Sequence, residues 1–129
     1  KEMTTAKAQF EQRISLLVSG FLQSQLGENA TTVLTLLAGI AVAVRATDCL
    51  TPVEKQLAQN ESDWTLLQHF KAQQFSHVQP MLKQKLEEVA GAEILNIVTT
   101  VDKEGLRFEV FTFKEDLESK LQSAFRSEQ

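Results

Sequence analysis

The sequence is poor in the features that mark several common protein classes. It contains one cysteine, Cys49, so no disulfide can form within the chain, which suits a reducing cytoplasm. It contains no tyrosine and no run of basic residues longer than one, and its formal net charge is −4. Nucleic-acid-binding domains usually carry a basic stripe, and anionic membranes also attract basic segments. The composition therefore disfavours both kinds of partner.

Long hydrophobic runs are also missing. The apolar segment VLTLLAGIAVAV, residues 33–44, falls short of the about 20 residues that a membrane-spanning helix needs. Its β-branched residues and central Gly39 predict two short strands instead, about 32–37 and 40–46. No signal peptide is recognisable, so a cytoplasmic location is expected. Because the chain opens at Lys1 without a methionine, we also expect that the native terminus was trimmed.

The opening segment, about residues 4–26, has the apolar periodicity of an amphipathic helix. Its large apolar residues recur at the spacing of one helix face: Phe10, Ile14, Leu17, Val18 and Phe21. Gly20 within the segment predicts that a neighbouring element packs closely there. Gly27 is typical of a helix end.

A second helical stretch covers residues 52–90. Its polar centre offers Asn60 or Ser62 as a second cap, so two helices with a break near these residues are expected. Pro80 is expected to kink or divide the longer piece, because proline removes a hydrogen bond and clashes with the preceding turn. A last amphipathic helix is expected from about residue 114.

The phrase LTPVEKQLA, residues 50–58, has the sequence of a helix start. Thr51 is expected to be the N-cap, with Pro52 in the first helical position and Glu54 at the spacing of a capping box. Capping alone accounts for these three residues. A structural role is therefore favoured over a catalytic one.

Residues 93–101 and 106–113 predict a second β-hairpin around the turn DKEG. Side chains of its second strand alternate between two faces, Leu106, Phe108 and Val110 on one and Arg107, Glu109, Phe111 and Phe113 on the other. Phe111 and Phe113 make the second face more apolar than a water-facing surface needs. They are expected either to pack under the last helix or to contact a second subunit. Together with Trp64, they are the candidate interface residues.

The order of these elements predicts an α+β fold, αββα(α)ββα. Two antiparallel hairpins supply four strands, and the amphipathic helices pack on one face of the sheet. With 129 residues, the chain is expected to form a single domain, 1–129. The small residues Ala41 and Ala43 share one strand face, which would let a helix or a second subunit approach closely. A homodimer is therefore expected.

Side chains that could carry chemistry are few. His69 and His77 lie eight residues apart, and too few other ligands accompany them for a metal site. No nucleophile elbow and no phosphate-binding glycine loop is present. We therefore expect no metal, no cofactor and no catalysis. An enzyme would require a pocket that unites His69 or His77 with a buried carboxylate.

Arg45 is the strongest candidate for ligand binding. It follows an apolar strand and precedes the loop that leads to Thr51, so it is expected to pair with Asp48 or Glu54, or to bind an anion. In the second case Arg45, Thr51 and Glu54 would form the site, because the positive end of a helix attracts anions. A sensor of small anions or metabolites is thus the alternative function.

Together with IAVAVRATDC, residues 40–49, and GAEILNIVTTVDKEGLRFEVFTF, residues 91–113, the phrase LTPVEKQLA resembles the MpsC domain family. That family is linked to a sodium-translocating, membrane-potential-generating system that supports inorganic-carbon supply. The sequence departs from the family in the phrase LGENATT and in having neutral or histidine positions around residues 70–77. The resemblance implies a non-enzymatic accessory or regulatory protein that acts by protein contacts beside a membrane transport system. It implies no catalytic residues.

Overall fold

A computed structural model describes residues 5–127, with side chains described as far as residue 122. Within these residues, the chain forms four helices and four strands in the predicted order: α1 (Ala6–Leu26), β1 (Val33–Ala38), β2 (Ala41–Ala46), α2 (Pro52–Leu57), α3 (Glu61–Ala90), β3 (Ile94–Val101), β4 (Arg107–Phe113) and α4 (Leu117–Ser127). The predicted α+β class and the two antiparallel hairpins are confirmed.

Helix α1 begins after Thr5, whose hydroxyl accepts a hydrogen bond from the backbone N–H of Ala8. The helix ends at Gly27, which has left-handed backbone angles, as the sequence predicts. Thr4, the predicted first residue, lies outside the described residues. The expectation for Gly20 was wrong, because no atom lies within 4 Å of the position that a Cβ would take there.

Helices α2 and α3 divide at the predicted place. Thr51 caps α2, and the Asn60 side chain caps α3 by accepting a hydrogen bond from the N–H of Asp63. Helix α3 then continues unbroken through Pro80, which therefore does not divide it. Both Pro80 and Ser76, four residues earlier, are exposed, so water can reach the Ser76 carbonyl that proline leaves without a donor.

The four strands form one antiparallel sheet in the order β1-β2-β4-β3. The two hairpins meet in the middle, where β2 pairs with β4 and Val44 lies opposite Glu109. Each hairpin thus contributes one central strand and one edge strand. This is the arrangement expected when two similar halves, each of the order αββα, lie side by side.

The helices pack on one face of the sheet, here called the inner face. Its side chains join α1, α3 and α4 in one buried cluster, which includes Ile14, Val18, Leu22, Leu37, Val42, Leu82, Leu86, Phe111, Phe113 and Leu117. Burial of so much apolar surface is the main force that holds the two layers together.

The opposite face of the sheet, here called the outer face, is not covered by a helix in the described part of the chain. Its positions alternate with the inner ones along each strand. Leu34, Leu36, Val98 and Phe108 lie on it with 51%, 59%, 50% and 44% of their surface exposed. The small residues Ala41 and Ala43 also lie on this face. The sheet therefore presents an apolar surface to solvent.

Candidate functional site

Four charged side chains are buried between α3 and the inner face of the sheet. They are Glu28, which follows α1, Lys71 of α3, and Arg107 and Glu109 of β4, and we call them the buried charge cluster. Charged residues are almost never fully buried unless they are paired, because removal from water disfavours the charged form. Here three separate parts of the chain supply the partners.

Arg107 is the centre of this cluster. Its Nε and Nη2 donate to the two oxygens of Glu28 at 3.0 and 2.8 Å, and its Nη1 donates to Glu109 Oε2 at 3.2 Å. Lys71 Nζ donates to Glu28 Oε2 at 3.0 Å. The guanidinium also lies 5.4 Å from the ring centre of Phe75. Only arginine offers this planar fork together with a flat face for an aromatic ring.

Burial changes the acid–base properties of two neighbouring groups. It raises the pKa of the Glu109 carboxyl to about 7, although Arg107 pulls that pKa the other way. Burial also raises the pKa of the Cys49 thiol to about 12, and the charge of Glu28 adds to the rise. Cys49 is therefore an unreactive thiol at neutral pH.

Two buried oxygens close to the cluster have no hydrogen-bond partner among the described residues. They are Glu109 Oε1 and Thr99 Oγ1, and the two residues lie directly opposite each other on β4 and β3. Buried polar atoms without partners are rare in proteins and often mark functional places.

A cavity of about 500 Å³ opens between α3 and the inner face of β3 and β4. It is lined by Trp64, Gln68, His69, Lys71, Ala72, Phe75, Ser76, Gln79, Ile97, Thr99, Thr100, Val101 and Arg107. Lys71 and Arg107 thus connect this cavity to the buried charge cluster. None of its lining residues is a carboxylate, so His69 has no acidic partner in this cavity. The pairing of a histidine with a buried carboxylate, which an enzyme would have required, is therefore not formed there.

A second cavity, of about 310 Å³, lies on the other side of Lys71. Glu28, Thr51 and Glu54 line it, together with Lys71. Of the two carboxylates in the cluster, Glu28 lines the second cavity and Glu109 lines neither, whereas Arg107 lines the first cavity and Lys71 lines both.

The structure brings Thr51 and Glu54 together as a capping box. The Glu54 N–H donates to Thr51 Oγ1 at 3.2 Å, and the Thr51 N–H donates to Glu54 Oε1 at 2.9 Å. Arg45, however, is exposed on the outer face and lies outside the second cavity. The three predicted ligand-binding residues therefore do not form one site, because strand alternation turns Arg45 away from Thr51.

The predicted ion pair of Arg45 is not formed in the described part of the chain. Asp48 Oδ1 instead lies 3.8 Å from Lys55 Nζ, and Glu54 Oε2 lies 3.5 Å from Lys71 Nζ. The arginine that joins distant elements of the chain is Arg107.

The three predicted interface residues are buried in the chain itself. Phe111, Phe113 and Trp64 are 0%, 1% and 5% exposed, so they cannot contact a second subunit in this structure. Phe111 and Phe113 pack in the same cluster as Leu117 of α4, which was the other expectation for them. The exposed apolar side chains, such as that of Phe108, occupy the strand positions that alternate with these buried ones and lie on the outer face.

His69 borders the first cavity, and His77 does not. Among the described residues, no group of three or more histidine, cysteine, aspartate or glutamate side chains is arranged to hold a metal ion. Lys71 and Arg107, the cations nearest the cavity, repel a metal ion rather than bind it.

Comparison with models of known protein families identifies the family of this chain. The model of the family described as "Na+-translocating membrane potential-generating system (MpsC)" matches residues 6–115. The chain belongs to the MpsC family. The matched range contains all four members of the buried charge cluster and stops before α4.

No curated protein and no solved structure matches this MpsC-family chain. In the part of the chain that the structure describes, none of the helices combines the length and the apolar character needed to span a membrane.

Sequence reasoning missed the buried charge cluster. A signal for it was present in LRFEVFTF, where Arg107 and Glu109 share one strand face with Phe111 and Phe113. Because two phenylalanines on that face belong in a core, the charges beside them must also be buried and need partners. Glu28, which pairs with Arg107, and Lys71, which pairs with Glu28, could not be identified, since both lie far away along the chain.

Proposed function

We propose that this MpsC-family protein is a non-enzymatic accessory or regulatory component of a sodium-translocating system and acts by protein–protein contacts. The family description names such a system. The finer link, to a system that supplies inorganic carbon, rests on the resemblance of the phrases around LTPVEKQLA. A cytoplasmic location fits the single buried cysteine, because a free thiol of this kind suits a reducing compartment.

The observation that carries the proposal is the uncovered outer face. Leu34 and Leu36 of the edge strand β1, together with Val98 and Phe108, place large apolar side chains on one face of the sheet. Contiguous apolar surface of this kind marks interaction sites on soluble domains. In the first cavity, by contrast, His69 has no carboxylate beside it among the lining residues.

A second copy of the chain is the occupant that we propose for the outer face. Of the strand residues that point outward, Arg45 alone is charged, so the surface offers little to a strongly charged partner. Arg45 lies one residue from the end of β2, where its long side chain can reach water at the rim. Ala41 and Ala43 in the centre allow two sheets to approach closely, and a two-fold axis would pack this surface against the same surface of the second copy.

The size of the outer face fits a modest dimer. Four strands spaced about 4.8 Å apart, each with about six residues that rise about 3.3 Å per residue, cover an area of roughly 400 Å². Side-chain relief raises the accessible area above this, so two copies bury on the order of 1,000 Å², near the lower limit of specific interfaces. The dimer is therefore expected to form at micromolar concentrations.

Light scattering on purified protein tests the dimer. The wild type should have twice the chain mass of 14.5 kDa at high micromolar concentration. Leu36→Asp, on the outer face, should be monomeric, because burial of its charge against a second sheet is costly. Leu66→Asp is the matched control, since Leu66 is 69% exposed on α3 and should leave the dimer intact. A monomeric wild type, or equal effects of both variants, would contradict the proposed interface.

The accessory role needs a separate measurement. Membrane vesicles from cells that lack the chain should develop a smaller sodium-dependent membrane potential than vesicles from wild-type cells. Adding back the wild-type chain should restore the potential, and Leu36→Asp should restore it less well than Leu66→Asp. An unchanged potential in the absence of the chain would exclude the role, whatever the oligomeric state.

A further inference from the structure

The cavity between α3 and the β3–β4 hairpin has the size and composition of a small-ligand site. Its volume of about 500 Å³ lies within the range of about 300–1,000 Å³ that such sites occupy. Trp64, Phe75, Ile97 and Val101 supply apolar walls. Lys71 and Arg107 supply a polar end. The ligand should therefore combine an apolar body with one polar group.

The polar end retains hydrogen-bond donors. A guanidinium has five N–H donors and an ammonium has three. Arg107 uses three of its donors within the buried charge cluster, and Lys71 donates to Glu28 and also lies 3.5 Å from Glu54 Oε2, so Arg107 retains two donors and Lys71 retains one. The remaining donors suit a ligand that offers acceptor oxygens.

The arrangement of charge favours an anionic ligand. No aspartate or glutamate lines this cavity, whereas Glu28 and Glu54 line the second cavity, on the other side of Lys71. The first cavity is therefore lined by two cations, Lys71 and Arg107, and by no carboxylate. Because burial raises the pKa of Glu109 to about 7, its carboxyl carries only part of a negative charge at neutral pH.

From the apolar walls and the cation-lined end, we infer that this cavity binds a small organic monocarboxylate with an aromatic or branched aliphatic body. The carboxylate lies toward Lys71 and Arg107, and the apolar body packs against Trp64 and Ile97. This site is distinct from the outer face and does not depend on the dimer. It also differs from the predicted site at Arg45, Thr51 and Glu54.

The single tryptophan provides a direct assay. Trp64 is the only tryptophan in the chain and lines the cavity, so occupancy should change its fluorescence. Titration with phenylacetate should give a saturable change, and phenylacetamide, which has the same shape without the charge, should bind at least about ten times more weakly. A tenfold ratio corresponds to about 1.4 kcal/mol, within the range of one charged hydrogen bond. Equal affinities would overturn the inference about charge.

A pair of isosteric variants tests the position of the site. Gln68→Glu adds a negative charge to the cavity wall and should weaken phenylacetate binding by at least about fivefold. Gln73→Glu adds the same charge to an exposed position of α3 that does not line the cavity, and should change binding less than about twofold. Equal effects of the two variants would overturn the proposal.

An occluding variant completes the test. Ala72 is exposed on α3 and lines the cavity, so Ala72→Phe fills the space without disturbing the core. This variant should keep the circular dichroism spectrum and unfolding temperature of the wild type and lose the response to phenylacetate. A folded Ala72→Phe that binds phenylacetate as the wild type does would place the ligand elsewhere and overturn the site.

Discussion

Arg107 and Glu28 form a doubly hydrogen-bonded ion pair at 3.0 and 2.8 Å across a separation of 79 residues, and both side chains are buried. Glu28 follows α1 in the first half of the chain, and Arg107 begins β4 in the second half. The pair therefore ties the two halves together by charge as well as by apolar packing. Its contribution can be measured by removing either partner.

Glu28→Gln should destabilise the protein strongly. The variant leaves Arg107 and Lys71 buried without their common anion, and such losses cost about 3–5 kcal/mol. Urea unfolding at neutral pH measures the change in the free energy of unfolding. Glu93→Gln is the control, because Glu93 pairs with Lys114 at 3.7 Å on the surface and should lose less than about 1 kcal/mol. A loss below that level for Glu28→Gln would show that the pair is not important.

Glu109 should make stability fall as the pH rises. Burial raises its pKa from 4.5 to about 7, so the folded state binds more protons than the unfolded state between these values. The free energy of unfolding should therefore fall by about 3 kcal/mol in total between about pH 4 and about pH 8 from this group, most steeply between the two pKa values, at about 1.4 kcal/mol for each unit of pKa.

Glu109→Gln isolates this contribution from that of other titrating groups. In the variant, the fall in stability between about pH 5 and about pH 7 should be smaller than in the wild type. Urea unfolding at a series of pH values provides the comparison. Parallel curves for the two proteins would mean that Glu109 titrates normally.

Gly105→Ala should destabilise the second hairpin. Gly105 has a φ of 86°, and an added Cβ would lie 3.2 Å from the backbone nitrogen of Leu50 and 3.3 Å from that of Cys49. The strain should cost about 1–3 kcal/mol. Gly20→Ala should instead stabilise by up to about 1 kcal/mol, since Gly20 lies in α1 with no atom within 4 Å. Thermal unfolding of both variants should show shifts of opposite sign.

The elements of the fold were largely predictable because their signals are local. Caps at Thr51 and Asn60, the helix end at Gly27 and the alternating strands all depend on neighbours within a few residues. Pro80 shows the limit of such rules, because exposure of the preceding turn lets α3 tolerate it. The local sequence predicts that a proline within a helix is destabilising, but it does not show that exposure of the preceding turn reduces this cost.

The faces of β4 were harder to assign for a different reason. Phe108 and Val110 make one face purely apolar, whereas Arg107 and Glu109 interrupt the other with charges. The charged face is nevertheless the buried one, since Glu28 pairs with Arg107 from a distant part of the chain and Lys71 in turn pairs with Glu28. No local pattern contains that information, so both the candidate site and the true outer face were missed.

The division of the buried charge cluster between the two halves has a kinetic consequence. Removal of Arg107 from water costs a large amount of solvation energy unless Glu28 is already beside it. Glu28 reaches that position only when α1 packs near β4. The two halves must therefore come together before these charged groups lose their water. This desolvation is thus expected late in folding. A fragment ending before α3 would lack both cations that Glu28 needs, so the molecule should fold in one cooperative step.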